Sequence, residues 1–178
     1  DSSSLLTNLT PLTNLPSLEC LDISNTKVVG DIGEIFDIPT LYELYMDDCS
    51  VCIDFSNIQG NENLEVLSMN NIVVMEYGQN EYGNIDVLNG KKVDINEGLG
   101  FFLQKFPYLA ELYIAGDGII NLDFVQYLPY LEVIDVSDNY ISSLAPLKEL
   151  SALSVVWCKD NTITDGYDLG NNVYVVAE

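Results

Sequence analysis

One eleven-residue pattern occurs six times along the chain and constrains its fold more than any other feature. The pattern is Leu-x-x-Leu-x-Leu-x-x-Asn-x-Leu, and other apolar residues replace leucine in some copies. The copies are LECLDISNTKV from Leu18, LYELYMDDCSV from Leu41, LEVLSMNNIVV from Leu64, LAELYIAGDGI from Leu109, LEVIDVSDNYI from Leu131 and LSVVWCKDNTI from Leu153. Self-similarity of this kind predicts a repeat architecture, in which each copy buries the same face against its neighbours.

The spacing of the copies identifies the kind of repeat. The first three copies start 23 residues apart (41−18 and 64−41), and the last three start 22 apart (131−109 and 153−131). Leucines in this arrangement at a period of about 20–29 residues are typical of a leucine-rich repeat solenoid. We therefore predict one α/β domain over residues 1–178, with about seven to eight repeats in a curved, right-handed solenoid. A parallel β-sheet is expected on the concave face, and short helical, 3₁₀ or extended segments on the convex face.

The centre of the chain departs from the regular period. Leu64 and Leu109 are 45 residues apart (109−64), close to two repeats, and IDVLNGKKVDI from Ile85 fits the apolar positions weakly. We therefore predict a degenerate seventh repeat there. The polar, glycine-rich segment 76–90 is predicted to be irregular or inserted. It is either a tolerated surface insertion or a binding loop, with Tyr77 and Tyr82 as its candidate anchors.

The two ends of the chain carry further expectations. Residues 164–178 follow the last copy and are predicted to form a C-terminal cap. The chain begins with DSSS, already in the repeat register and without an obvious polar cap. Because solenoids usually need an atypical capping repeat at each end, we expect the chain to be a fragment of a longer protein.

The strand of each copy separates buried from outward-facing positions. Residues three to seven should form a short strand, with the fourth and sixth pointing inward and the third, fifth and seventh pointing outward. Aromatic and acidic residues occupy several outward positions, and aromatic residues there are typical anchors of a protein interface. The alternative is that aromatic residues merely favour strands. The candidate partner-binding residues are Asp22, Glu43, Tyr45, Asp47, Glu111, Tyr113, Asp135 and Trp157.

The ninth position of each copy should serve the turn after the strand. Asn139 and Asn161 can satisfy backbone groups there, as a buried turn requires. Thr26, Cys49, Ile72 and Asp117 stand at the same position in the other copies. The apolar side chain of Ile72 cannot do this, so an irregular structure is expected after it.

The charge of the chain restricts its partners. It has 28 Asp and Glu against 6 basic residues, a formal net charge of −22. Such a charge repels nucleic acid phosphates and anionic lipid head groups. We therefore predict a protein partner, with a basic partner the better match, and neither nucleic acid binding nor direct membrane insertion. The alternative is that the acidic surface serves solubility alone.

Catalytic chemistry is not indicated. The chain has no histidine, which excludes Ser-His-Asp and Cys-His catalysis, and no nucleotide-binding motif is present. We predict a protein that is not an enzyme, with no catalytic residues, cofactor or metal site. Cys49 and Cys52 form a CxxC, but without a second ligand pair core packing explains them better. Calcium binding by the acidic residues is a weaker alternative, because none follows the EF-hand spacing.

Two segments resemble a known family. LTNLTPLTNLPSLECLDISNT and ISSLAPLKELSALSVV are similar to the internalin-type leucine-rich repeats of bacterial surface proteins, and the resemblance covers nearly the whole chain except 76–90 and the tail after Ile163. It implies an extracellular or cell-surface bacterial module that binds a host or neighbouring protein through its concave face. The alternatives are a cytoplasmic adaptor, resembling the phosphatase regulatory subunits that share this repeat length, and a targeting module attached to an enzyme domain outside this chain.

Overall fold

The structure, a computed structural model, describes residues 5–6, 9–55, 57–75, 78–79, 85–86, 92–170 and 172–177. Short strands dominate the described residues. They are β1 (Leu5–Leu6), β2 (Cys20–Asp22), β3 (Lys27–Asp31), β4 (Glu43–Tyr45), β5 (Ser50–Cys52), β6 (Val66–Ser68), β7 (Val73–Met75), β8 (Gly78–Gln79), β9 (Ile85–Asp86), β10 (Glu111–Tyr113), β11 (Val133–Asp135), β12 (Val155–Trp157) and β13 (Tyr174–Val176). The helical elements are α1 (Leu99–Leu103) and 3₁₀ turns at Thr10–Asn14, Gly33–Asp37, Ile95–Glu97, Asp123–Tyr127 and Ala145–Glu149.

The repeats stack into an open parallel sheet of seven strands, in the order β2-β4-β6-β10-β11-β12-β13. Equivalent positions pair in register, so that Leu44 lies opposite Leu67 and Leu67 opposite Leu112. Short 3₁₀ turns or α1 return the chain along the other side. This architecture confirms the predicted leucine-rich repeat solenoid, with its sheet on the concave face.

The core lies between the sheet and the returning segments. The inward fourth-position residues Leu44, Leu67 and Leu112 are fully buried, as the alternation predicts. In the centre, Phe102 packs its ring edge-on against Phe36 and Phe106, with ring centroids 5.1 and 5.0 Å apart. Aromatic pairs at these distances and angles add stability beyond the apolar area that they bury.

A second parallel sheet, β1-β3-β5-β7, runs along the first half of the solenoid. It was not predicted, since short helical, 3₁₀ or extended segments were expected outside the concave sheet. Strands β3, β5 and β7 start at the tenth pattern position and bury the valine at the eleventh, as Val51 and Val74 illustrate. In the second half, Asn139 and Asn161 bind the eleventh-position N–H of the preceding repeat instead. Those N–H groups are then taken by side chains, so no strand forms there.

The degenerate seventh repeat predicted from Ile85 is wrong. Strand β6 pairs directly with β10, whereas β9 pairs antiparallel with β8 and does not enter the concave sheet. Gly90 occupies the sixth position of the predicted copy, so an inward side chain that could hold a strand against the core is missing. Instead, Lys92 forms an antiparallel bridge with Met75. Most of segment 76–90, with Tyr77 and Tyr82, lies outside the described residues.

The C-terminal tail extends the concave sheet. Strand β13 pairs in parallel with β12, with Val175 opposite Val156, only 19 residues on (175−156). The region predicted as a cap therefore contributes one more strand from a shortened repeat. Among the described residues, no helix is long and apolar enough to cross a membrane.

Candidate functional site

The fifth pattern position forms a row of side chains across the concave sheet. Because the strands pair in register, equivalent side chains follow one another at the strand spacing of about 4.8 Å. The row contains two separated groups of the predicted residues, with Ser68 of β6 between them. In order across the sheet it reads Asp22, Tyr45, Ser68, Tyr113, Asp135, Trp157 and Val176.

Tyr113 and Trp157 come together above the strand that separates them. Two strand spacings are about 9–10 Å, yet the two ring centroids are only 6.3 Å apart, with an interplanar angle of 30°. The rings therefore lean toward each other across β11. Asp135 occupies the fifth position of β11, so a carboxylate lies between the strands that carry the two aromatic side chains.

A glutamate two residues earlier holds each concave tyrosine. The Tyr113 hydroxyl donates a hydrogen bond to Glu111 at 2.6 Å, and the Tyr45 hydroxyl donates to Glu43 at 3.2 Å. Both pairs arise from the same Glu-Leu-Tyr sequence on β10 and β4. Burial and then the neighbouring glutamate raise the pKa of Tyr113 above its ordinary value of 10.0. The phenols therefore remain neutral hydrogen-bond donors that position the glutamates.

The fifth-position aspartates are fixed by their own turns. Asp135 Oδ1 accepts the Ser137 N–H at 2.9 Å, and Asp22 Oδ1 accepts the Ser24 N–H at 2.9 Å. This backbone hydrogen bond lowers the pKa of Asp22 below its ordinary value of 3.8. Asp135 Oδ2 makes no hydrogen bond to the described part of the chain. One oxygen is thus anchored, and the other is left to accept from a ligand.

Asp47 has a structural role that the sequence analysis missed. Its Oδ1 accepts the Asn70 N–H at 2.8 Å and the Ser68 hydroxyl at 2.7 Å. Ser24 Oγ accepts the Asp47 N–H, and Asn70 Oδ1 accepts the Ala115 N–H. These seventh-position side chains thereby link four successive strands. Short polar residues at that position in three consecutive copies were the available signal.

The ninth position forms a second polar ladder, as the sequence predicted for asparagine. Asn139 Nδ2 donates to the Ile114 carbonyl of the preceding repeat at 2.9 Å, and Asn161 Nδ2 donates to the Val136 carbonyl at 2.8 Å. Cys49 Sγ does the same toward the Ile23 carbonyl at 3.0 Å. The thiol thus replaces an asparagine amide in the first half of the solenoid.

Asp117 is the exception within this ladder. Its Oδ1 accepts the Ile72 N–H at 2.8 Å, but its buried Oδ2 has no hydrogen-bond partner among the described residues. Burial raises the pKa of Asp117 to about 8. The apolar Ile72 and the unpaired carboxyl oxygen of Asp117 lie at the same junction between repeats, where β6 pairs directly with β10.

The cysteines follow the predicted pattern of core packing. Cys49, Cys52 and Cys158 are buried, Cys20 is exposed at its outward position, and none of these four described residues forms a disulfide. Among the described residues, no three acidic, cysteine or histidine side chains converge in a way that could hold a metal ion.

The predicted binding residues thus fall into two groups on one face. Glu111, Tyr113, Asp135 and Trp157 form the group on β10–β12, which we call the aromatic-acid cluster. On the other side of β6, Asp22, Glu43 and Tyr45 form a smaller group on β2 and β4, and Asp47 follows β4.

Comparisons with known proteins were made at the levels of sequence and structure. No family model and no curated protein matches the sequence. Solved structures do match: an internalin from Listeria monocytogenes has a TM-score of 0.55 at 13% identity, covering 96% of this chain and 50% of that chain. A TLR13–ssRNA13 complex gives 0.67 at 18%, covering 97% and 23%. The plant peptide hormone receptor RGFR1 in complex with RGF2 gives 0.57 at 13%, covering 97% and 30%.

These similarities concern the fold, because the sequence identities are low. The chain spans at most half of the length of each of these three proteins. The likeness to the TLR13 structure is at least as strong as that to the internalin, so the comparisons do not single out the internalin subtype. Together with the repeat spacing and the in-register sheet, they show that this chain has the leucine-rich repeat fold.

Proposed function

We propose that this chain is a non-catalytic interaction module that binds a protein or peptide partner through the concave face of its sheet. The observation that carries the proposal is the aromatic-acid cluster, in which Tyr113 and Trp157 stand together on the sheet with Asp135 between them. Tyrosine and tryptophan are enriched among the residues that dominate binding energy at protein interfaces, particularly near the centre of the interface.

The preorganisation of this cluster supports the proposal. Each strand is held on both sides by its neighbours, and the Tyr113 phenol is fixed by Glu111 at 2.6 Å. Side chains that are already ordered lose little conformational entropy when a partner binds. Ser68 and Asp47 are committed to hydrogen bonds within the sheet, so we assign the binding energy to the aromatic residues and to the acids beside them.

The partner class follows from the charge and from the structural neighbours. A net charge of −22 disfavours nucleic acid, because phosphates would be repelled. Of the three similar structures, TLR13 is bound to single-stranded RNA and RGFR1 to RGF2. For this chain we favour a protein or peptide partner with basic side chains, because its own charge is strongly negative.

We also propose a location, which rests on the resemblance of the repeats to internalins. The chain would belong to a secreted or cell-surface bacterial protein that binds a host or neighbouring protein. The alternatives are a cytoplasmic adaptor and a targeting module joined to an enzyme domain. The full-length gene separates them, since a leader and wall anchor would support the first and a fused catalytic domain the last.

The binding proposal is tested with a random linear peptide library displayed on phage. Peptides that bind the purified chain are synthesised, and their affinities are measured against a triple variant, Tyr45→Ala, Tyr113→Ala and Trp157→Ala. A matched control removes three exposed tyrosines outside the sheet, through Tyr127→Ala, Tyr140→Ala and Tyr167→Ala. Circular dichroism checks that both variants remain folded, and a single-stranded RNA oligonucleotide tests the nucleic acid alternative.

We expect the concave variant to lose at least about 30-fold in peptide affinity, as removal of an interface anchor does. The control variant should stay within about 2-fold of the wild type. Equal losses in the two variants, or no loss in the concave variant, would contradict binding through the concave face.

A further inference from the structure

The aromatic-acid cluster places a carboxylate between two aromatic residues on adjacent strands. Asp135 pairs in register with Tyr113 on one side and with Trp157 on the other. The two rings lean over this position to a centroid separation of 6.3 Å. Asp135 Oδ1 is anchored by the Ser137 N–H at 2.9 Å, so the carboxylate is held in place while its Oδ2 stays available.

A second carboxylate stands at the edge of the same cluster. Glu111 accepts the Tyr113 hydroxyl at 2.6 Å and lies on the same strand as that tyrosine. The negative faces of aromatic rings attract cations, and Trp attracts them most strongly. Two carboxylates and two aromatic rings thus present the chemistry that recognises a cationic side chain.

The geometry points to a binding site for an arginine side chain of the partner at Tyr113, Asp135, Trp157 and Glu111. This inference rests on the proposed function and names the residue type that the concave face recognises. A guanidinium group is flat, so it can stack on a ring and still direct paired N–H groups toward a carboxylate. A lysine ammonium is a compact, strongly hydrated point charge and gains less from the rings.

The rest of the surface offers a weaker version of the same attraction. With a formal charge of −22, the whole chain attracts cations over long range, without selecting one kind. Asp22 provides an internal comparison, because it has the same pattern position as Asp135 and the same hydrogen bond from a serine N–H at 2.9 Å. It lies on the edge strand β2, with an aromatic neighbour, Tyr45, on one side only.

The experiment uses three short capped peptides in which a single arginine, lysine or citrulline stands between glycines. Trp157 is the only tryptophan, so its indole N–H gives one NMR signal that reports directly from the site. We expect the arginine peptide to bind with a Kd on the order of 1 mM. It should bind about 3- to 10-fold more tightly than the lysine peptide, and citrulline should be weaker by at least about 10-fold.

Matched variants separate the cluster from general electrostatics. Asp135→Asn keeps the Oδ1 acceptor for Ser137 but removes the charge, and should weaken arginine binding at least about 5-fold and abolish the preference over lysine. Asp123→Asn removes one charge from an exposed residue of a 3₁₀ turn outside the concave sheet and should change binding by less than about 2-fold.

Two outcomes would overturn the inference, and they bear differently on the proposed function. If the three peptides bind alike, or if Asp123→Asn and Asp135→Asn have equal effects, there is no arginine site. The proposed function would still stand provided that library peptides depend on Tyr113 and Trp157. If those peptides are insensitive to the concave residues as well, both proposals are wrong.

Discussion

Replacing Asp117 with asparagine should stabilise the protein, with an effect that grows as the pH rises. Asp117 stands in the ladder where Asn139 and Asn161 donate amide hydrogen bonds to carbonyls of the preceding repeat. The same register would direct the Asp117 side chain toward the Met69 carbonyl. Asp117 can donate there only while its carboxyl group keeps its proton, and its Oδ2 is buried without a partner among the described residues. An asparagine amide at this position could donate at any pH and carries no charge to bury.

The pH dependence follows from the raised pKa. Burial raises the pKa of Asp117 from 3.8 to about 8 in the folded state. Below about pH 4 the carboxyl group is protonated in both the folded and the unfolded chain, so its burial causes no pH-dependent loss of stability there. Between about pH 4 and 8 the unfolded chain releases the proton and the folded chain retains it. The free energy of unfolding therefore falls by up to about 1.4 kcal/mol per pH unit.

The magnitude at neutral pH follows from this window. About three pH units separate pH 7 from the ordinary pKa of the carboxyl group, which gives a ceiling of about 4 kcal/mol for the linked destabilisation. Asp117→Asn removes the titration and should raise the free energy of unfolding by about 2–4 kcal/mol at pH 7. At about pH 4 the variant and the wild type should agree to within about 1 kcal/mol.

Urea denaturation at a series of pH values, followed by circular dichroism, measures this effect. Asp138→Asn is the matched control: it removes the same charge from an exposed residue one repeat away, whose positive φ of 54° asparagine tolerates. The control should change stability by less than about 0.5 kcal/mol at any pH. Equal effects of the two substitutions at pH 7, or an unchanged pH slope in Asp117→Asn, would show that the burial of Asp117 does not cause the effect.

Three further substitutions test the fold by urea denaturation. Gly60→Ala should lower the free energy of unfolding by at least about 2 kcal/mol, because φ is +104° and a Cβ would lie 2.5 Å from the Lys105 carbonyl oxygen. The control is Gly170→Ala, where φ is +98° but the space is open, and it should lose only about 1 kcal/mol. Phe102→Ala should lose about 3–5 kcal/mol, since this fully buried ring contacts three other phenylalanines, and a loss below about 1 kcal/mol would contradict the central core. Asn139→Ala should lose about 2–4 kcal/mol by leaving buried backbone groups of two repeats unpaired, and a neutral result would show that the ladder is not needed.

Much of the concave side could be predicted from the sequence, because it depends on a local period. Alternation within each copy assigned Leu112 to the core and Tyr113 to the outward face, and the structure confirms both positions. Because the repeats were expected to stack in register, Tyr113, Asp135 and Trp157 could also be predicted to lie side by side, and the strand pairing agrees. The lean of the two rings across β11 depends on side-chain packing and could not be derived from the spacing.

The parts that escaped prediction depend on contacts between repeats. The second sheet forms where the eleventh-position N–H is not taken by a ninth-position asparagine, and that role becomes visible only when neighbouring repeats are placed side by side. The degenerate repeat was predicted from apolar spacing alone, although Gly90 leaves its sixth position without a side chain. The seventh-position ladder through Asp47 was likewise read as a binding feature, because its partners lie 21–23 residues away.

Amide chemical-shift mapping shows directly whether a partner binds the concave face. A library-selected peptide is titrated into isotope-labelled protein, and shifts are compared between the concave strands and the exposed 3₁₀ turns of the other side. We expect the largest shifts on β10–β12, including the Trp157 indole N–H. If the largest shifts fall on Asp123–Tyr127 and Ala145–Glu149 while Trp157 stays unperturbed, the partner binds the other side and the concave face is not the binding surface.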